Sequence, residues 1–174
     1  MIEYRKISDF DRGVLQRLMA DAYYFDKRCS EFWDSDWVEF DNFFFDNLQI
    51  ADRYGFITTL NNEPIGFISW DPRNMPEYVE VGHNCISTKR NGNGYGRIQL
   101  EEAIRRICQY DGLKKIIVTT NGLMIPAQRN YESVGFKLQR RRENIGPAAF
   151  SGEYIDYEMI ISSPKKGVTF EWKL

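Results

Sequence analysis

Three glycines at alternate positions, Gly92, Gly94 and Gly96, join a stretch that reads as a strand, "YVEVGHNCIS", to one that reads as a helix, "RIQLEEAIRRICQY". No other feature of the chain restricts its fold as much. A residue without Cβ reaches positive φ without strain, or lets another group approach the main chain closely. A helix N-terminus directly downstream presents N–H groups that have no partner inside the helix. Strand, glycine loop and helix in that order make a cradle for an anion, because phosphate oxygens satisfy those N–H groups and sit at the positive end of the helix dipole. Lys89, Arg90 and Arg97 bring full positive charges nearby. Taken alone, the same Gly/Asn cluster also fits a surface turn.

Two common phosphate loops are excluded by spacing. The P-loop ends in Gly-Lys-Ser/Thr, whereas Gly96 is followed by Arg97 and Ile98. The dinucleotide fingerprint needs one more residue before its last glycine, and it opens a βαβ chain instead of following several strands in succession. An oxidoreductase using a dinucleotide is therefore disfavoured.

Around the loop the periodicity changes in an orderly way. "IEYRKI" alternates as a half-buried strand, and "DFDRGVLQRLMADAYYF" takes helical spacing through Val14, Leu15, Leu18 and Met19. "DSDWVEFDNFFFDNL" predicts a second helix, with Asp36 as N-cap and Trp37, Phe40, Phe44 and Leu48 on one side. "YGFITTL", the turn "NNEP" and "IGFISW" predict a hairpin. After the glycine loop and its helix, "LKKIIVTT" suits a buried strand and "IPAQRNYESVG" a helix with Pro126 in its first turn. "FKLQRR", "GEYIDYEMII" and "VTFEWKL" resume extended character. No linker or internal repeat interrupts this order, so a single domain over residues 1–174 is expected.

Charge narrows the partners. A formal charge of −2 and a pI near 5.6 leave no basic excess for coating nucleic acid. Residues 21–53 carry nine acids against three bases, and residues 88–115 seven bases against three acids, so one half suits a cation and the other an anion. Cys29, Cys85 and Cys108 are odd in number and widely spaced, which suggests neither a disulfide framework nor a zinc site. With no basic, apolar leader and no apolar run near the roughly 20 residues of a membrane span, a reduced cytoplasmic setting is the expectation, without membrane or metal.

The segment "EVGHNCISTKRNGNGYG" resembles the acetyl-CoA motif of the GNAT superfamily of N-acetyltransferases, Gln/Arg-x-x-Gly-x-Gly/Ala. Asn91, Gly94 and Gly96 occupy its three positions, with Asn91 in place of the usual Gln or Arg. A second block, "PAQRNYESVGF", resembles the family's later Ala-x-x-x-Tyr-Glu-x-x-Gly-Phe signature through Ala127, Tyr131, Glu132, Gly135 and Phe136. Two blocks in the right order outweigh the turn reading. The resemblance implies an α/β (α+β) GNAT-like fold: a central, mostly antiparallel mixed sheet of about seven strands, helices on both faces, and the cofactor in the splay between the fourth and fifth strands.

It also implies a reaction, the direct attack of an amine on the acetyl-CoA thioester, and assigns residues to it. Acetyl-CoA would be bound by Cys85 and Ile86 along the strand and by Asn91, Gly92, Asn93, Gly94, Tyr95, Gly96 and Arg97 in the loop. Met124 stands where many relatives have an asparagine that contacts CoA. Tyr131 matches the family's general acid, a neutral phenol able to protonate the departing thiolate. For the base, Glu80 matches a strand glutamate six residues before the pantetheine-binding position at Ile86. His83, the single histidine, is the rival. Strand alternation sets these two on opposite faces unless a bulge intervenes, as it usually does in this family.

Aromatic residues among the acids of residues 23–48, with Asp34, Asp36, Glu39 and Asp41 foremost, suit a small cationic amine as acceptor. The cysteines are expected to be structural, and Arg140, Arg141 and Arg142 either reach the cofactor's 3′-phosphate or lie on a solvated strand face. A homodimer is compatible with the family. The alternative function is a non-catalytic acyl-CoA sensor, which would bind through the same loop without turnover.

Overall fold

The computed structural model describes residues 1–145 and 152–161. Seven strands form one sheet in the order β1-β2-β3-β4-β5-β7-β6. They are β1 (Ile2–Arg5), β2 (Gly55–Leu60), β3 (Glu63–Asp71), β4 (Val79–Ile86), β5 (Lys115–Asn121), β6 (Lys137–Asn144) and β7 (Gly152–Ile160). Every neighbouring pair is antiparallel except β4 and β5, which run parallel. Helices α1 (Val14–Ala22), α2 (Lys27–Asp46) and α3 (Leu48–Tyr54) precede the hairpin, α4 (Tyr95–Ile107) links β4 to β5, and α5 (Ile125–Ser133) follows β5. This is the mixed seven-stranded sheet expected, and β2 and β3 are the expected hairpin, turning through Asn61 and Asn62 at positive φ. The expected strand "VTFEWKL" lies outside the described residues.

Two cores sit on the two faces. On one, Leu100, Ala103 and Ile107 of α4 and Tyr131 of α5 pack on Val79, Val81, Ile116, Val118 and Ile155. On the other, Leu15, Leu18 and Met19 of α1 and Trp37 and Phe44 of α2 pack on Ile57, Phe67 and Cys85. The helical spacings read from the sequence supply these side chains, and their burial is the main force holding helices to sheet.

The second helix corrects the sequence expectation. It begins at Lys27, where the Asp26 carboxylate accepts from the Arg28 N–H at 3.0 Å, so Asp36 is mid-helix and caps nothing. Cys29, Trp33 and Trp37 continue the apolar stripe backwards at i, i+4, i+8, which outweighs the capping signature at Asp36. Leu48 belongs to α3 and is exposed.

Asp41 is corrected too. It is only 2% exposed and accepts from the N–H groups of Gly13, Leu15 and Gln16 at 2.7, 2.9 and 3.3 Å. Its carboxylate caps α1 from a neighbouring helix, because Gly13 offers no side chain for the task. Asp34 is held by the Gln16 amide at 2.8 Å.

Candidate functional site

The parallel ladder is short. Val79, Glu80 and Val81 pair with Ile116, Ile117 and Val118, and beyond that rung β4 and β5 separate. On its other side β4 stays paired to β3, with a register shift in which Gly82 and His83 together oppose Ser69. This bulge reverses the alternation of β4. Val79, Val81 and Asn84 consequently face α4 and α5, while Glu80, His83 and Cys85 face the side of α1 and α2. The bulge admitted by the sequence reading is present, and Glu80 and His83 share a face.

Beyond the bulge, Ser87 donates to the Ile65 carbonyl at 2.7 Å and Cys85 is the register partner of Phe67. Antiparallel alternation then turns the main-chain groups of Cys85 toward β3, and those of Asn84 and Ile86 into the gap left by β5. That gap has polar main chain on one side and no strand to pair with it.

The glycine loop closes one end. Gly92 and Gly94 have φ of 78° and 79°, and a Cβ on either would meet nothing within 4 Å. Backbone conformation, not crowding, is what requires glycine there. Gly94 is the N-cap of α4 and provides no side-chain cap. The N–H groups of Arg97 and Ile98 return to the Gly94 carbonyl, whereas those of residues 92–96 have no acceptor among the described residues. Five open donors at the start of a 13-residue helix, with free space before them, fit a multi-oxygen anion such as a pyrophosphate. Of the nearby cations, Arg90 is paired with Glu63 and Arg97 with Glu101, both at 2.8 Å and exposed, and Lys89 is exposed, so side-chain charge is added around a cradle made of main-chain N–H groups.

A cleft of about 1690 Å³ runs from this cradle through the gap to the far side of the sheet. Loop residues Asn91, Gly92, Gly94, Tyr95, Gly96 and Arg97 line it, as do Cys85, Ile86, His83, Glu80 and Tyr131. Asn93 does not; its side-chain amide donates instead to the Arg90 and Asn91 carbonyls at 3.2 Å. Met124 lines the cleft, and so does Asn130, whose amide nitrogen lies 3.2 Å from where a Cβ on Gly96 would stand.

Tyr131 is 4% exposed, stacked edge-on to Phe136 at 5.7 Å. Its hydroxyl oxygen accepts from the Asn84 amide at 3.5 Å. Burial pushes its ionisation up from 10.0, with Asn84 acting in the opposite sense, so the phenol is neutral at physiological pH. The Glu80 carboxylate has no hydrogen-bond partner among the described residues. Burial first, then the charges of Asp71 and Asp156, push its carboxyl above 4.5, and Arg142 and Arg73 offset part of that. His83 lies edge-on against Phe40 at 4.4 Å and near Phe67 at 6.1 Å, and burial lowers its pKa from 6.5 against the pull of Asp36. Burial pushes the Cys85 thiol up to about 12, which leaves it protonated and poorly nucleophilic. All three cysteines are free, Cys29 and Cys85 buried and Cys108 exposed.

On the side of α1 and α2 the cleft is lined by Tyr23, Phe25, Trp33, Phe40 and Phe43, with Glu80 and Asp71 as its carboxylates. Asp34, Asp36, Glu39 and Asp41 do not line it: Asp41 caps α1, Asp34 is held by Gln16, and Asp36 acts on the cleft only through its charge on His83. Arg140 and Arg142 bind Asp156, and Arg141 binds Glu153, on the exposed strand β6. Of the two positions expected for the arginine run, the strand face is the observed one.

Two residues of the site escaped the sequence reading. Gln99 is fully buried, and Asn84 bridges it to Tyr131. The signal for Gln99 was its place four residues before Ala103 on the apolar stripe of α4, where a polar side chain must find partners. Among the described residues no group of three or more His, Cys, Asp or Glu could hold a metal ion, and no helix is long and apolar enough to cross a membrane.

A family model described as the acetyltransferase (GNAT) family matches residues 15–136. No curated protein sequence matches significantly. Among solved structures, PaiA N-acetyltransferase from Thermoplasma acidophilum, in complex with coenzyme A, superposes with a TM-score of 0.73 at 16% identity, covering 92% of this chain and 99% of that one. The ribosomal-protein-S18-alanine N-acetyltransferase from Escherichia coli gives 0.68 at 19% identity, over 98% and 99% of the two chains. A GNAT family acetyltransferase from Elizabethkingia anophelis with acetyl-CoA bound gives 0.62 at 16%, over 92% and 97%.

Proposed function

The chain belongs to the GNAT acetyltransferase family, and from that premise we propose that it transfers an acetyl group from acetyl-CoA to the primary amine of a small cationic molecule. One observation carries the reading: the open N–H groups of residues 92–96 stand at one end of a gap whose other end is the separation of β4 from β5 after Val81 and Val118. A diphosphate in the cradle leads its pantetheine arm along Asn84 and Ile86, which present unpaired main chain like the edge of a sheet. Relatives in this fold hold coenzyme A or acetyl-CoA, which supports the same ligand here.

Glu80 takes the role of base. An alkylammonium has no free lone pair at neutral pH, and a carboxylate whose pKa is raised by burial and like charges accepts its proton more readily than an ordinary one. His83 supports this by position, since it is wedged against Phe40 and Phe67. Tyr131 is the acid, a neutral buried phenol that returns a proton to the leaving sulfur. Main-chain N–H groups of Asn84 and Ile86 face the position where the oxyanion would form. On the acceptor side, Glu80 and Asp71 attract the ammonium and the rings of Trp33, Phe40 and Phe43 pack on its body.

The test is release of free thiol from acetyl-CoA across a panel of small amines, with Tyr131→Phe and Glu80→Gln as controls. Turnover on at least one amine, slowed at least roughly 100-fold in both variants with coenzyme A affinity retained, is the expected result. Coenzyme A binding without turnover on any amine would describe a sensor instead.

A further inference from the structure

A directed chain of side-chain hydrogen bonds ends at Tyr131. The Thr58 hydroxyl donates to Gln99 Oε1 at 2.7 Å. Gln99 Nε2 lies 3.1 Å from the main-chain carbonyls of both Phe67 and Cys85 and 2.9 Å from Asn84 Oδ1, its two N–H groups being shared among these three acceptors. Asn84 Nδ2 donates to the Tyr131 hydroxyl oxygen at 3.5 Å. Thr58 and Gln99 are fully buried.

Chemistry fixes the direction of every link. Main-chain carbonyls only accept, so the nitrogen of the Gln99 amide must face Phe67 and Cys85, and its oxygen must face Thr58. The same nitrogen meets Asn84, so the oxygen of that amide must point at Gln99 and its nitrogen at Tyr131. The Tyr131 oxygen is therefore an acceptor on the protein side. Its own proton meets no acceptor among the described residues, and Tyr131 lines the cleft.

We propose that Asn84, oriented by Gln99 and Thr58, is a positioning residue that holds the Tyr131 hydroxyl proton outward into the gap between β4 and β5. The proposal rests on Tyr131 being the acid. Its consequence is twofold. The proton is aimed at the leaving sulfur before the thioester breaks, and the phenolate left behind is stabilised by the Asn84 N–H, since a charged acceptor strengthens that bond. The amine nitrogen has by then bonded to the acyl carbon and given its proton to Glu80; as the acyl C–S bond breaks, its electron pair leaves with sulfur and takes the tyrosine proton, so the O–H bond is broken and an S–H bond is formed. Tyr131 regains a proton from solvent once the thiol departs. The polarity runs one way along Thr58, Gln99, Asn84 and Tyr131, so each link reinforces the next.

Asn84→Asp keeps the shape but replaces the donor by a carboxylate, which draws the Tyr131 proton back toward the protein. Asn84→Leu removes the donor without that reversal. Both are expected to lower kcat for acetyl transfer by at least roughly 10-fold while the coenzyme A dissociation constant, measured by calorimetry, stays within about 2-fold. With acetyl-seleno-CoA, whose selenolate leaves without a proton, the loss should shrink toward unity in each variant. Combined with Tyr131→Phe, neither substitution should add a further loss, because both act through the same hydroxyl. Losses that multiply in the double variants, or that persist with the selenoester, would overturn the proposal, and so would an unchanged kcat in Asn84→Asp. If Tyr131→Phe alone turns over at the parental rate, the acid assignment fails, an outcome separate from failure of the relay. Retained coenzyme A affinity establishes folding, and whichever of the two Asn84 variants retains it serves for the cycle.

Discussion

Val81 and Val118 form the last rung between β4 and β5, and Glu80 sits one residue before it on the opposite face from both. A carboxylate there is flanked by strand on both sides yet opens on the cleft, which explains why burial leads the causes that raise its pKa and why no arginine pairs with it directly.

The sign of the pH response follows. A raised carboxyl in the folded protein is protonated at pH values where an ordinary one is already ionised, so the base-dependent rate should climb with pH through a midpoint above 4.5. Glu80→Gln should remove that rise from the profile of kcat/KM. The unfolded chain gives up this proton at lower pH than the folded one, so above the folded pKa the ionised group weakens folding, and below the unfolded pKa the effect vanishes. Glu80→Gln should therefore melt slightly higher than the parent at pH 7, while at pH 3 the two should melt alike. A pH profile that keeps its rise in Glu80→Gln would move the base to another group.

Gly92 and Gly94 give a second prediction because their would-be Cβ positions are empty. Alanine there meets only backbone strain, about 1–2 kcal/mol per residue, which the loop can relieve by turning its N–H groups out of the cradle. Gly94→Ala should weaken coenzyme A binding roughly 10-fold by calorimetry. Gly96→Ala is different: φ is not positive, and the new Cβ would stand 3.2 Å from the movable Asn130 amide, so the loss there should stay within about 2-fold. Equal losses at all three positions would argue that volume, not main-chain geometry, makes the cradle.

Asp41 and Asp36 separate stability from acceptor binding. Asp41 satisfies three N–H groups at the start of α1 from a buried position, and Asp41→Ala leaves them without a partner at a cost of about 2 kcal/mol. The melting temperature should fall by about 4–8 °C for a chain of this size. The acceptor KM of the folded fraction should hold, because Asp41 does not line the cleft. Asp36→Asn, on the exposed side of α2, should leave both nearly unchanged. A raised acceptor KM in either variant would return the acids of α2 to the binding site.

What the sequence made legible was whatever depends on neighbours along the chain. The alternate glycines at Gly92 to Gly96, the helical spacing of Leu100, Ala103 and Ile107, and the turn at Asn61 and Asn62 are local, and the structure keeps all of them. The start of α2 misled because Asp36 with Glu39 imitates a cap, and only packing of Trp33 and Trp37 beside Tyr23, with ring centroids at 5.8 and 5.5 Å, shows that the helix runs through it. Asn84 was hidden more deeply. Its face depends on a bulge at Gly82 and His83, which shifts every later side chain of the strand, and its partners come from residues 99 and 131. Contacts at that sequence distance leave no periodicity to read.

Gly66 joins that hidden layer to stability. It pairs with Ile86 at the end of β4, alongside the gap, and a Cβ on it would stand 2.4 Å from the Cys85 carbonyl oxygen and 2.9 Å from Gln99 Oε1. Main-chain oxygen cannot swing aside as a side chain can, so alanine here must push β3 from β4 or displace the Gln99 amide. Gly66→Ala should cost about 2–3 kcal/mol and lower the melting temperature by about 4–12 °C. The displaced amide would lose its hold on Asn84, so kcat should fall together with stability while coenzyme A affinity, set at the loop, falls less. A variant that melts low but turns over at the parental rate would show that β3 moves as a unit and carries Gln99 with it, leaving the hydrogen bonds to Asn84 intact.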